Sequence, residues 1–362
     1  MAPLWRAGWS AAISQFDPKN KMSKLSSTAI LALVASASAL QPVLDTSLTI
    51  DQEFDTWASV YGKFYETEEL KAQRKQVFQA NRETVISHNE EFEKGIHSFN
   101  LELNHLADLT NKEYRDSMLG FESKISTTAG QTFKAKNGTV PTFWDWRTNA
   151  TNVVGAVKNQ GSCGSCWAFS AVATMEGAYN QKTGKVNSFS EQELVDCTNG
   201  GANTCSLGGQ MYQGIEYAIA NGIMAETDYP YKGSSGHACA FDKTKSIHQF
   251  SSYTNITSGD ENALKTATYE KPIISVGIDA SSIWFQLYFG GVFDVKSCKN
   301  TEDQLDHGVS VVGYGTDPKS KKDYWTVRNS WGGFWGMKGY ILMVRNKDNQ
   351  CGVATQACFA DL

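Results

Sequence analysis

Apolar positions along the chain follow two different rhythms. Ala168, Val172, Met175 and Tyr179 recur at spacings of four, three and four, one face of a helix that begins at Cys166 and that Gly184 is placed to stop. Ser190-Glu-Gln-Glu193 has the form of a capping box opening a second helix, and Met211, Ile215 and Ile219 mark a third that ends at Asn221-Gly222. Beyond residue 270 the rhythm changes to short runs rich in β-branched and aromatic residues. Ile273-Ile-Ser-Val-Gly-Ile278, Gly308-Val-Ser-Val-Val312, Tyr324-Trp-Thr-Val327 and Tyr340-Ile-Leu-Met-Val344 read as strands. Helices first and strands afterwards predict an α+β fold. Upstream, Phe54, Trp57 and Tyr61 form one helical face, and Leu70, Arg74, Phe78, Asn81, Val85 and Asn89 continue at helical spacing along a single long helix.

The ends and joints of these segments suggest parts with different fates. Ala29-Ile-Leu-Ala-Leu-Val-Ala35, preceded by Lys21 and Lys24 and followed by Ala37-Ser-Ala39, reads as a secretory signal within residues 1–39, too short for a lasting membrane span. Asp17, Pro18 and the lysines upstream fit a signal poorly, so translation is expected to start at Met22. Ser123 to Thr139 is rich in Ser, Thr, Lys and Gly and reads as an exposed, cleavable linker. Asn137, Asn149 and Asn255 head Asn-x-Thr triplets, acceptor sequences for N-glycosylation.

Composition narrows the class. A chain of 362 residues with 41% hydrophobic and 20% charged residues can bury a large core. A net charge of −5 without a long basic run argues against nucleic-acid binding. All eight cysteines, Cys163, Cys166, Cys197, Cys205, Cys239, Cys298, Cys351 and Cys358, lie in the C-terminal part, and a secretory route permits disulfides there. Zinc would need close ligand pairs, and Cys163 with Cys166 is the only one, so no metal and no cofactor is expected.

Gln160-Gly-Ser-Cys-Gly-Ser-Cys166-Trp-Ala-Phe-Ser170 resembles the nucleophile region of the papain-like cysteine peptidases. Arg74, Phe78, Asn81 and Asn89 resemble the ERFNIN pattern of that family's propeptides, with Leu70 where Glu is usual and Val85 for Ile. Asn104-x-Leu106-x-Asp108 resembles its Asn-x-Phe-x-Asp element. The resemblance implies a papain-like two-lobed fold, a helical left domain and a β-barrel-like right domain with the cleft between them. Residues 1–39 would be the signal region, 40–139 an inhibitory propeptide covering the cleft in reverse orientation, and 140–362 the mature peptidase. Val140-Pro-Thr-Phe-Trp-Asp-Trp-Arg147 resembles a mature N-terminus. Protonation of carboxylates such as Asp108 is expected to loosen the propeptide in acid.

The chemistry needs a nucleophile, a base, an orienter and oxyanion donors. Cys166, at a helix N-terminus that favours thiolate, is the nucleophile candidate. His307, in a stretch similar to the family's catalytic-histidine region, is the base and would rest as imidazolium beside the thiolate. Asp306 adjoins it but points to the other strand face. Asn329, in Val327-Arg-Asn-Ser-Trp-Gly-Gly333, is the better orienter, with Trp331 shielding the bond from water. By resemblance Gln160 supplies an oxyanion donor. Gly208 and Gly209 would hydrogen-bond extended substrate, although Ser206 and Leu207 add a residue before them. Met211, Gly277 and Leu305, with Gln356 near the base, would line a second subsite preferring bulky apolar side chains. The resemblance also pairs Cys163 with Cys205, Cys197 with Cys239 and Cys298 with Cys351, leaving Cys358 as a buried free thiol. It implies a monomeric cysteine endopeptidase made as a zymogen. Its partners would be peptide and protein substrates and its own propeptide, and its location the secretory pathway, lysosome, vacuole or extracellular space. An inactive peptide-binding relative and a transpeptidase using the same acyl-enzyme are the competing readings.

Overall fold

The computed structural model describes residues 47–121, 131–134 and 139–362. The expected signal region, the Met22 start, Asn137 and most of the expected linker lie outside these residues.

Two helices at nearly right chemistry for their caps open the described chain. Thr49 caps α1 (Ile50–Val60) in a full capping box with Gln52, and Thr67 caps α2 (Glu68–Glu93). Phe54, Trp57 and Phe78 are fully buried where the two helices meet. Polar side chains of α2 fix the chain that folds back on it. Asn81 Nδ2 donates to the carbonyls of Ala107 and Leu109, and Asn89 exchanges hydrogen bonds with the backbone of Leu101. Strand β1 (Phe99–Leu101) and helix α3 (Asn111–Met118) follow, then β2 (Gln131–Thr132) and β3 (Trp144–Asp145).

Helix α4 (Cys166–Thr183) starts at Cys166 and stops at Gly184, which takes a left-handed φ of 68°. It is not an amphipathic surface helix. Every residue from Cys166 to Gly177 is buried, so the spaced face read from the sequence is one side of a helix covered all round. Helix α5 (Glu191–Cys197) is capped by Ser190, whose side chain accepts from Glu193 N–H. The expected reciprocal half of the box is missing, because Glu193 Oε2 instead accepts the Met224 N–H. Helix α6 (Met211–Asn221) ends at Gly222, and β4 (Ile223–Met224) pairs with β5 (Ser246–His248).

The remaining strands are β6 (Ser252–Asn255), β7 (Ile274–Ile278), β8 (Tyr288–Phe293), β9 (His307–Thr316), β10 (Asp323–Arg328), β11 (Tyr340–Val344) and β12 (Ala357–Asp361), with helix α7 (Glu261–Glu270) between β6 and β7. They form one sheet in the order β1-β8-β11-β10-β9-β7-β12-β6-β2, with β3 paired to β9. Both edge strands, β1 and β2, come from the N-terminal 139 residues. The stretch read as an exposed linker is therefore partly docked. Gln131 and Thr132 run parallel to β6, Phe133 N–H donates to Asn255 O, and the Phe133 ring packs edge-on against Phe359. The structure links Cys163 to Cys205, Cys197 to Cys239 and Cys298 to Cys351. Cys358 is buried on β12, and burial pushes its thiol up to about 12. Asn149 is exposed, with its side chain accepting the Asp145 N–H, and Asn255 is half-buried on β6. Among the described residues no helix is long and apolar enough to cross a membrane.

Candidate active site

Cys166 is the first residue of α4 and His307 the first of β9, so one helix end and one strand end meet. Gly308, next to His307, lies against Cys166. A Cβ on Gly308 would sit 3.2 Å from Cys166 O. His307 Nε2 is 2.8 Å from Asn329 Oδ1, and its Nδ1 is buried without a hydrogen-bond partner. Trp331 lies over the pair, its ring centroid 4.8 Å from that of His307 and 1% exposed. The Asp306 carboxylate turns away and accepts the Ala280 N–H at 2.8 Å, and burial raises it to about 7.

Gln160 is fully buried and held at both ends of its amide. Its Oε1 accepts from Ser330 Oγ at 2.6 Å and Trp331 Nε1 at 3.1 Å. Its Nε2 donates to Cys163 O and to Met118 O, each at 2.8 Å. The second contact is with the segment that leaves α3. Residues 118–121 lie across the site. Gly120 O accepts the Gly209 N–H at 3.0 Å, and Phe121 N–H donates to Asp306 O at 3.1 Å. Phe121 bridges to Gly209 in parallel. The extra residue before Gly208 is absorbed by a turn on Thr204, which accepts Gly208 N–H on its carbonyl and Leu207 N–H on its hydroxyl. Leu207 points outward, 70% exposed.

The Phe121 ring packs beside Gly277 and Leu305 and shares a buried cluster with Met211 and Cys166. Gln356 contributes its backbone carbonyl to Gly277 N–H, while its Nε2 bonds Glu302 at 2.6 Å. Sequence reasoning did not identify Met118, Gly120 or Phe121 as cleft residues, nor Ser330 as the partner that orients Gln160. A Gly-Phe pair directly after a helix stop was the available signal for the former.

Burial under this cover opposes the thiolate–imidazolium pair expected from the sequence. Burial pushes the Cys166 thiol up to about 11, against the opposing N–H groups of Gly308 and Gly120. Burial also lowers His307 to about 4, against the opposing Asn329 hydrogen bond. Both shifts run against charge on the two groups while the site is covered.

Comparison with known proteins agrees with this architecture. Residues 140–360 match the Papain family cysteine protease domain, and residues 54–114 match the Cathepsin propeptide inhibitor domain (I29). The chain is 41% identical to Cathepsin L of Sarcophaga peregrina over 341 residues, covering 91% of this chain and 97% of that one. It is 40% identical to Cathepsin S of Bos taurus over 337 residues, covering 92% and 99%. The digestive procathepsin L2 proteinase of the Tenebrio molitor larval midgut superposes with a TM-score of 0.81 at 33% identity, covering 87% of this chain and all of that one. Procathepsin L 3 from the same tissue gives 0.78 at 34% identity with the same coverage. A buried cysteine on a helix end, a histidine bonded to an asparagine, and an N-terminal helical segment laid over both are thus features of a chain that belongs to the papain family of cysteine proteases, a cysteine-type endopeptidase carrying its own inhibitory propeptide.

Proposed function

We propose that residues 40–139 form the removable propeptide and 140–362 the mature enzyme, with Cys166 as nucleophile, His307 as base and then acid, Asn329 as its orienter and Gln160 as an oxyanion donor. The observation that carries this reading is that residues 118–121 hydrogen-bond to Gln160, Gly209 and Asp306 in a single run, with Phe121 packed in one cluster with Cys166. A segment so placed excludes substrate from every group the chemistry needs. It pairs parallel to Gly209, and substrate is expected to run antiparallel there, which brings its scissile carbonyl to the Gln160 amide.

Removal of the cover rehydrates the site and lifts the burial that opposes charge on both groups. Cys166 then passes its proton to His307 and becomes the thiolate. The thiolate attacks the scissile carbonyl carbon, and the carbonyl oxygen takes the negative charge at Gln160 Nε2. Collapse of the tetrahedral adduct expels the amine, which takes its proton from His307, and leaves a thioester. Water, deprotonated by His307, hydrolyses it and returns the thiol proton to the pair. Asn329 Oδ1 at His307 Nε2 holds the ring without adding a charge. Met211, Gly277 and Leu305 form the second subsite, for which the seated Phe121 ring supports a bulky apolar preference. Three disulfides fit synthesis in the secretory pathway, for a lysosomal, vacuolar or extracellular destination.

The test is acid incubation of purified proform beside a Cys166→Ala control. Wild type is expected to shorten, take up an irreversible thiol-directed probe and cleave unblocked peptides with Phe or Leu at the second subsite. The control should do none of these. Probe uptake without peptide cleavage would sink the hydrolase reading, and products extended by an added amine would replace hydrolysis with transpeptidation.

A further inference from the structure

The oxyanion site is built from two ends of a short glycine-bearing loop. Gln160 stands at one end, and Ser165, which precedes Cys166, at the other, with Gly161 and Gly164 between them. Gly161 adopts a left-handed φ of 59°, and glycines give this stretch little stiffness of its own. The Gln160 side chain is fixed by Ser330 and Trp331, and the middle of the loop is tied to Cys205 by the Cys163 disulfide and the Gly164 N–H. One further side chain joins the two ends of the loop to each other. The Tyr231 hydroxyl donates to Gln160 O at 2.8 Å and meets Ser165 Oγ at 2.6 Å.

We infer that Tyr231 is a positioning residue for the oxyanion site, its phenol bridging Gln160 and Ser165 so that the Gln160 amide and the start of α4 keep a fixed separation.

The proton count supports a directed chain. Tyr231 has one O–H, and the Gln160 carbonyl can only accept, so the Tyr231 proton goes to Gln160 and Ser165 donates its own to the Tyr231 oxygen. Tyr231 is itself locked. Its N–H donates to Glu226 Oε1 at 2.8 Å, and its ring stands edge-on to Phe169 of α4 at 4.9 Å. Burial and neighbouring carboxylates hold the phenol far above the ordinary tyrosine range, so it remains a donor wherever the enzyme works. None of its contacts reaches the carbonyl to be cleaved, so it acts through Gln160 and not on substrate.

This inference rests on the oxyanion role proposed for Gln160, and the experiment separates the two. Full-length wild type, Tyr231→Phe, Gln160→Ala and the double variant are matured in acid and assayed on one peptide amide. Tyr231→Phe keeps the ring on Phe169 and loses one hydrogen-bond bridge, worth about 0.5–1.5 kcal/mol, so kcat should fall about 3–10-fold with KM within twofold. Gln160→Ala should fall roughly 100-fold or more, and adding Tyr231→Phe to it should change kcat no further. Alkylation of Cys166 by iodoacetamide forms no oxyanion, and its rate in Tyr231→Phe should match wild type. An unchanged kcat in Tyr231→Phe overturns the inference. So does a full further drop in the double variant, and so does a loss of alkylation rate in step with kcat, which would mark general loosening. An unchanged kcat in Gln160→Ala overturns the oxyanion reading itself.

Discussion

Gly120→Ala should open the zymogen while leaving the mature enzyme untouched. A Cβ on Gly120 would lie 2.0 Å from Gly164 O, 2.3 Å from its carbonyl carbon and 2.4 Å from its Cα, all backbone atoms that cannot swing aside. Real Cβ atoms stay beyond 3.0 Å, so the two chains must part by at least about 1 Å. Gly164 is backed by its N–H donating to Cys205 O at 3.0 Å, so the 118–121 segment is what gives way. At that displacement the bonds from Gln160 Nε2 to Met118 O, from Gly209 N–H to Gly120 O and from Phe121 N–H to Asp306 O stretch beyond useful length. Three net contributions of about 1 kcal/mol make about 3 kcal/mol. Alanine also restricts the released segment, which opposes opening by about 0.4–1 kcal/mol, so the clash prevails with about 2–2.6 kcal/mol remaining. The open population should therefore rise roughly 30–80-fold. Labelling of Cys166 by a slow alkylating reagent at neutral pH, with the chain intact on a gel, reads that population directly. After maturation the kcat/KM of the two proteins should agree, because Gly120 has left. A labelling rate within threefold of wild type would refute the idea that the 118–121 backbone contacts hold the site closed.

Two further outcomes follow from the same geometry. A Cβ at Gly277 would lie 2.6 Å from Phe121 Cε1 and 3.3 Å from Leu305 Cδ1, so Gly277→Ala should both loosen the zymogen and shorten the second subsite. In the mature enzyme its kcat/KM for a Phe-bearing peptide should fall about tenfold or more relative to a Val-bearing one, measured on a matched pair. In the propeptide, burial raises Glu113, but the bonds from Arg74 and Thr110 outweigh it and leave its carboxyl below the usual range. The stabilisation this gives is present above the unfolded carboxylate pKa and is lost as pH falls through the lowered folded value. The Glu113 side chain is 42% exposed, so solvent screening limits the effect to about 0.5–1 kcal/mol. Glu113→Gln should therefore raise Cys166 labelling of the zymogen about 2–5-fold at neutral pH and flatten its rise in acid, and an unchanged pH profile would remove Glu113 from the acid response.

Much of this fold could be read locally, and the exceptions share one cause. The start of α4 at Cys166 and its stop at Gly184 were legible because a glycine-rich turn and a C′ glycine act within a few residues. The four later strands were legible from their β-branched runs. What escaped is set by partners distant in sequence. Glu193 deserts the Ser190 N–H for Met224, on a different strand. Residues 119–121 are held extended because Gly209 and Asp306 supply their hydrogen bonds, with Gln160 fixing the helix end before them at Met118 O. Gln131 and Thr132 look like linker and become a strand because β6 offers an unpaired edge, for which Phe133, the only aromatic between Ser123 and Thr139, was the faint local mark. In the site, Cys166 was legible as a type in a context, whereas Ser330 and Tyr231 are ordinary loop residues until the fold delivers them to Gln160.

Strands β1 and β2 also govern association. An uncovered strand rim invites pairing with any passing chain. The proform ends one rim at Phe99–Leu101 on β8, whose outer backbone groups are taken by His88 and Asn89 of α2, and extends the other with the short strand Gln131–Thr132 on β6. Loss of residues 40–139, as proposed for maturation, would uncover β8 and β6 in the same step, so the finished protease would carry two strand rims that the proform keeps paired.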